Sequence, residues 1–208
     1  MAIIIDHSKA RFTEVTLMKE EEFPLVVKTL RTWKHYLEDY LSRIEPCDKA
    51  RAIACDYQVV ITLFQEDMWK IKKLTQKIVM LAKDNFERIQ AMACFIVNEG
   101  SGIESKNIKL KELLSAPWNL RWPVSPFAYP LLGGGVLILQ SLIIYAGKNE
   151  VKKIHLSSTT TAMNFYKNLG FHNEGINLFV LRINPENCAK IQEVFNKYFK
   201  IEDVKESA

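Results

Sequence analysis

The sequence predicts one mixed α/β domain, on three observations. Its 208 residues are 48% hydrophobic and 25% charged, the composition of an ordinary globular chain long enough to bury a core without disulfide or metal staples. Strand-like runs rich in Ile, Val and Phe follow and precede stretches whose apolar residues recur at helical three-and-four spacing. No internal repeat and no Gly/Ser linker divides the chain, so a single domain over residues 1–208 is expected, with its core at about 11–183 and a last helix at about 185–200.

Each element has its own warrant. Residues 2–5 form a short apolar run that reads as a strand. Residues 11–18 alternate with one slip, with Phe12, Val15 and Leu17 as the buried positions, and they either pair with residues 2–5 or start the sheet. After three glutamates, apolar residues at Phe23, Val26, Val27, Leu30, Trp33, Leu37, Tyr40, Leu41 and Ile44 trace one helix face, with Pro24 in the first turn and Pro46 as the stop. A second helix starts at an Asp48 cap and carries Ile53, Tyr57, Val60, Ile61 and Phe64, an aromatic stripe that reads as core. Residues 76–82 and 88–97 make a hairpin around Asp84-Asn85, and residues 98–102 give a second turn. Residues 107–115 read as a strand with Ile108, Leu110 and Leu114 on one face, and Glu112 falls on that same face.

The composition then changes. Pro117, Pro123, Pro126 and Pro130, with Trp118 and Trp122, crowd into 14 residues and exclude a helix or central strand. Gly133, Gly134 and Gly135 follow, then an apolar helix over 136–146 that Gly147 ends. Residues 151–156 form a strand, 160–169 a helix stopped by Gly170, and 177–183 another strand. Asn184-Pro185 caps a final helix bearing Ile191, Val194, Phe195, Tyr198 and Phe199, and residues 202–208 are a polar tail.

Charge and cysteine content bound the function. A net charge of +4 is too slight to announce a nucleic-acid binder, and Lys70, Lys72, Lys73 and Lys77 read as a solvated face, with RNA binding the minor alternative. Cys47, Cys55, Cys94 and Cys188 lack C-x-x-C pairing and read as reduced thiols packed as small hydrophobes. No metal site is expected. The N-terminus has no basic start or small-residue cleavage site. The longest apolar stretch, residues 131–146, is 16 residues long and short of the roughly 20 a membrane span needs. A cytoplasmic protein without a membrane partner is expected. His155 and His172 read as structural or surface residues.

Only 8 glycines occur, where average usage would give roughly 15, yet three stand together at a helix start. Two readings stay open there: backbone N–H groups closing on a phosphate, or a tight turn that lets the helix pack closely. Neither G-x-G-x-x-G nor a Walker loop is present.

Downstream, residues 151–156 lead into Ser157-Ser158-Thr159-Thr160-Thr161, Ala162 and then Phe165-Tyr166-Lys167-Asn168-Leu169-Gly170-Phe171. This stretch, with the glycine run before it, resembles the Gcn5-related N-acetyltransferases. The resemblance is strongest over residues 133–171, and the order of elements from about residue 11 agrees with it. It implies a mostly antiparallel, splayed sheet flanked by helices, and transfer of an acetyl group from acetyl-CoA to a primary amine by direct attack. It further implies that Gly133, Gly134, Gly135 and Val136 hold the coenzyme's pyrophosphate, and that the Leu114-Ser115-Ala116 backbone pairs with the pantetheine arm. On the same resemblance an N–H near Ala116 steadies the oxyanion, Thr159 and Ala162 contact the cofactor, and Tyr166 protonates the leaving thiolate. The base is not implied by the family. Glu112, an acid set among apolar residues, is the choice read from this sequence. The acceptor is a small molecule or a protein. Pro130-Leu131-Leu132 replaces the family's more usual residues ahead of the glycines, which leaves a non-catalytic ligand- or protein-binding module as the alternative. Trp118, Trp122, Phe127 and Tyr129 either wall the slot or cover the sheet edge.

Overall fold

Among the described residues seven strands form one sheet between two layers of helix. The computed structural model describes residues 11–43, 47–71, 77–100, 106–120 and 133–198. In chain order the elements are β1 (Phe12–Leu17), α1 (Phe23–Arg43), α2 (Asp48–Ile71), β2 (Lys77–Asp84), β3 (Ile89–Asn98), β4 (Asn107–Ser115), α3 (Gly134–Lys148), β5 (Lys153–Ser157), α4 (Met163–Asn168), β6 (His172–Gly175), β7 (Leu178–Arg182) and α5 (Pro185–Tyr198). The sheet order is β1-β2-β3-β4-β5-β7-β6, antiparallel throughout except for the parallel β4–β5 pair. The expected mixed, mostly antiparallel architecture is the one found.

The pleat sends alternate residues to two separate cores. Val79, Leu81, Met92 and Cys94 pack with Leu30, Trp33, Leu37, Ile61 and Phe64 of α1 and α2. Met80, Ala82, Ala93 and Phe95 pack on the other face with Ile138, Leu142, Tyr166 and Ile191 of α3, α4 and α5. The aromatic stripe of the first two helices is core, as its periodicity predicts.

Several boundaries differ from expectation. In β1 a register shift between Phe12 and Glu14 turns both Phe12 and Val15 toward the α3 side, while Leu17 is 44% exposed. This bulge is the slip in the sequence alternation. The proposed strand at residues 2–5 lies outside the described residues. Gly147 does not end α3, which runs to Lys148; the stop comes from Asn149, whose Nδ2 donates to the Tyr145 carbonyl at 2.8 Å, and from Glu150 at φ 57°. Residues 160–162 form a 3-10 turn before α4, and Gly170 at φ 89° terminates it as expected. Strand β6 has no sequence signal: His-Asn-Glu-Gly is polar, wholly exposed and at the sheet edge, where only backbone pairing holds it. Asn184 caps α5 through Asn187 N–H at 2.8 Å.

A buried polar network ties the β2–β3 turn to the start of the Pro/Trp segment. Asp84, fully buried, accepts from the Phe86 and Arg88 N–H groups and from the Arg88 and Gln90 side chains, while Gln90 Oε1 accepts from Trp118 Nε1 and Asn119 Nδ2. Burial pushes the Asp84 carboxyl up, but the Arg88 guanidinium and the amide donors outweigh it and hold it below the usual carboxylate range. Trp118 packs edge-on to Trp33 and Tyr36, so it belongs to the core and does not wall a slot. Trp122, Phe127 and Tyr129 lie outside the described residues.

All four cysteines are free thiols, but Cys47 and Cys55 are exposed on the surface; of the four, Cys94 is the one fully buried. Helical runs that carry both apolar and charged residues leave one face wet, which composition alone does not assign.

Candidate active site

Strands β4 and β5 part company half-way along. Their pairs run from Asn107 with Lys153 to Leu110 with Leu156, and β4 then continues to Ser115 without a β5 partner. The cause is local. Cys94 pairs with Glu112 but Phe95 with Leu110, so Lys111 is the extra residue of a bulge, which bends a strand and increases its twist.

The same bulge reverses the facing of β4. Ile108 and Leu110 lie in the α3-side core, whereas Leu114 and Ala116 lie in the α1/α2-side core. Glu112 therefore does not share a face with Ile108 and Leu110, as simple alternation predicts; it shares one with Leu114. The flip keeps it out of solvent all the same, at 6% exposure.

Backbone polarity along β4 follows from one bond. The Ala116 N–H donates to the Gln90 carbonyl at 2.8 Å, and since orientation repeats every second residue in an antiparallel ladder, Leu114 also turns its polar groups toward β3. Leu113 and Ser115 turn theirs toward the gap. Ala116 N–H is thus already engaged and is no oxyanion donor, and the backbone of β4 that turns toward the gap is that of Leu113 and Ser115. The Ser115 carbonyl in turn accepts from the Tyr57 hydroxyl at 2.6 Å.

The three glycines of the run differ in their surroundings. Gly133 is left-handed at φ 96°, and the first helical bond of α3 is Leu137 N–H to the Gly133 carbonyl at 2.9 Å. The N–H groups of Gly134, Gly135 and Val136 accordingly have no acceptor inside the helix. Gly134 is a packing glycine: a Cβ there would lie 2.9 Å from Ala91 Cβ and 3.1 Å from Phe12 Cζ. At Gly135 a Cβ would meet Phe165 Cζ at 3.3 Å and Leu113 Cδ2 at 3.8 Å, so the start of α3, α4 and the open edge of β4 converge there.

No family model and no curated protein matches the sequence. Solved structures match it in shape. A probable acetyltransferase superimposes with a TM-score of 0.51 at 12% identity, over 78% of this chain and 92% of that one. Tetrahymena GCN5 gives 0.50 at 12% identity, over 83% and 98%, and the BH1408 protein of Bacillus halodurans, as a tetramutant, 0.50 at 14% identity, over 78% and 96%. The fold is that of the Gcn5-related N-acetyltransferases.

Within this Gcn5-related fold the remaining site residues fall on both sides of the gap. Tyr166 is 7% exposed and packs against Phe165, Phe171 and Phe179 at ring distances of 5.1, 5.5 and 6.2 Å. Burial pushes its phenol up, so it stays protonated at neutral pH. It lies on the α3 side of the sheet, on the face opposite Glu112. Ala162 packs on the α3-side core, and the Thr159 carbonyl accepts from its N–H at 3.1 Å and from Ser158 Oγ at 2.8 Å. The Thr161 N–H and hydroxyl both donate to Asp56 Oδ2, at 3.1 and 2.6 Å. Consecutive residues of α2, Asp56 and Tyr57, thereby grip the two sides of the gap. Burial, with Lys153 and Lys109 nearby, pushes the His155 imidazole down; His172 is exposed on β6.

Glu112 has polar company that sequence reasoning missed. Asp67 of α2 and Cys94 of β3 place donor atoms within 4.8 Å of it and of one another. Lys77 of β2 binds Asp67 at 2.6 Å, so the cation that balances this cluster is the chain's own. Lys77, expected in solvent, has a side chain only 11% exposed; the side chains of Lys70, Lys72 and Lys73 lie outside the described ones. Burial first, and the Asp67 charge second, push the Glu112 carboxyl up to about 7. Asp67 could have been suspected, since it falls three residues after Phe64 on the buried stripe of Tyr57, Ile61, Phe64 and Met68. Among the described residues no helix is long and apolar enough to cross a membrane.

Proposed function

We propose that this protein transfers an acetyl group from acetyl-CoA to a primary amine by direct attack of the amine on the thioester. The observation that carries the reading is the gap between β4 and β5, with the glycine-led start of α3 at one end and Glu112 buried beside it. The first N–H groups of a helix, which have no acceptor within it, suit a pyrophosphate, and the edge of β4 suits an amide-bearing pantetheine chain. Acetyl-CoA supplies an activated acyl group. The chain's own residues do the rest: Gly133, Gly134, Gly135 and Val136 offer backbone donors, Leu113 and Ser115 offer the strand edge, and Thr159 and Ala162 lie at the start of α4 beside the coenzyme. Glu112, with its carboxyl near 7, takes the proton of the acceptor ammonium, and Tyr166 holds a proton for the leaving thiolate. The acceptor class is a small amine or a protein amine, and the compartment is the cytoplasm.

A second reading, binding of a ligand or protein without turnover, is favoured by the Tyr57 hydroxyl, which occupies the Ser115 carbonyl that a pantetheine amide would use. Calorimetric titration with acetyl-CoA and CoA, followed by mass spectrometry of an amine panel, separates the two. Micromolar binding with acetylated product is expected. Binding without product favours the second reading, and no binding at millimolar coenzyme overturns both uses of the slot by acyl-CoA.

A further inference from the structure

Two buried carboxyl groups, one ion-paired ammonium and a thiol meet beneath the end of α2. Glu112 from β4, Asp67 from α2, Lys77 from β2 and the Cys94 thiol from β3 meet there, with Lys111 of β4 close enough to be felt electrostatically. The residues are almost wholly buried, at 6% exposure for Glu112, 7% for Asp67 and 0% for Cys94. Lys77 Nζ lies 2.6 Å from Asp67 Oδ1, and Cys94 Sγ lies 4.0 Å from Asp67 Oδ2. Glu112 Oε2 is buried and has no hydrogen-bond partner.

Charge counting gives this arrangement a direction. Burial of a net charge costs far more than burial of a neutral set. With the thiol protonated, the ion-paired ammonium and the two buried carboxylates sum to −1; Lys111, half-buried at the rim, offsets part of this from outside, and uptake of a single proton brings the buried set itself to zero. A second proton would make it positive. Asp67 is committed to Lys77 by a short ion pair, so the proton that neutralises the pocket belongs on Glu112, where it can be shared with the neighbouring carboxylate.

We propose that Asp67 is a positioning residue for Glu112, its carboxylate, anchored by Lys77, holding Glu112 ready to accept one proton, in the manner of two carboxyl groups that share a proton. The inference rests on the reading of Glu112 as general base. In the proton transfer the acceptor ammonium loses one proton and becomes the neutral amine, while the Glu112 carboxylate becomes a carboxylic acid hydrogen-bonded to the Asp67 carboxylate. No other co-reactant is needed.

The decisive measurement is a carbon-13 NMR titration of the full chain labelled at the glutamate side-chain carboxyls, with the Glu112 signal assigned by its loss in Glu112→Gln. Asp67→Asn is expected to lower the Glu112 midpoint by about one pH unit or more, and Lys77→Met to raise it. Should Asp67→Asn not fold, Asp67→Asn combined with Lys77→Gln serves instead; the midpoint still falls, because Asp67 acts on Glu112 more strongly than Lys77 does. A midpoint unmoved by removal of Asp67 overturns the inference whatever the activity. In the active protein the acidic limb of the rate profile follows the NMR midpoint in both directions. A midpoint that moves while the limb stays fixed supports the coupling and overturns Glu112 as the base.

Discussion

The Tyr57 hydroxyl donates to the Ser115 carbonyl at 2.6 Å across 58 residues of chain. It fastens the middle of α2 to the unpaired end of β4, where a backbone carbonyl would otherwise lack a strand partner. Burial pushes the Tyr57 phenol far up, so the hydroxyl keeps the proton it donates at neutral pH. Tyr57→Phe is expected to cost about 1 kcal/mol, the usual net value of such a bond, as a lowered urea midpoint with an unchanged slope.

The two neighbouring glycines of α3 should respond differently. Gly134→Ala places a methyl 2.9 Å from Ala91 Cβ and is expected to destabilise by about 1–3 kcal/mol, as overpacking does. Aspartate at Gly134 would therefore report on packing, not on coenzyme. At Gly135 the nearest atom is the tip of the Phe165 ring at 3.3 Å, which can give way, and a carboxylate in the first turn suits the helix dipole. Gly135→Asp is expected to keep the thermal midpoint within a few degrees and to weaken acetyl-CoA binding tenfold or more in calorimetry.

Glu112 carries a stability signature independent of catalysis. Its carboxyl rises from 4.5 to about 7 on folding, so between those values the folded chain holds a proton that the unfolded chain has released. Stability therefore falls as pH climbs from 4.5 to 7, by about 3 kcal/mol in all, and is flat above. Glu112→Gln removes this slope, so the variant is the more stable protein at pH 8 and gains little below pH 4.5. Urea titrations at both pH values check the sign.

Tyr166→Phe separates chemistry from packing. The ring contacts with Phe165, Phe171 and Phe179 remain, so the thermal midpoint is expected to hold. Loss of the hydroxyl proton is expected to lower kcat about tenfold or more with little change in KM for acetyl-CoA. Steady-state kinetics at saturating acceptor gives the split.

Asp84→Asn removes the charge on which four hydrogen bonds and the Arg88 ion pair converge. The Arg88 guanidinium, itself 26% exposed, is left without its counter-charge, and a loss of about 1–3 kcal/mol is expected, as for a donor left unpaired. Because the Asp84 carboxyl is held below its ordinary value, its contribution is present above that value and is lost as pH falls through the folded one. Denaturation curves of the two proteins should converge toward low pH.

Much of this protein is written locally. The stripes of α1 and α2, the Asp84-Asn85 hairpin turn, the bounds of β4, the Gly170 stop and the Asn184 cap all depend on residues within a few positions of one another, and periodicity or capping chemistry shows them in the sequence. The glycine run and the Phe165–Phe171 stretch likewise carry the resemblance to the Gcn5-related fold within a short span. The polar edge strand β6 did not show, because its stability comes from pairing with β7 and not from its own side chains.

What only the tertiary structure decided is where chemistry-bearing groups end up when distant segments meet. Alternation placed Glu112 with Ile108 and Leu110, but a one-residue bulge against β3 sends it to the other face, since a strand has a period of two and a single extra residue inverts all that follow. Lys77 read as solvated until Asp67, ten residues earlier on α2, was folded over it. Ala116 N–H read as a donor for a ligand until Gln90 took it. In each case the residue's identity was plain in the sequence, and its partner, brought from another element by the packing of α2 on the sheet and of β3 on β4, was not.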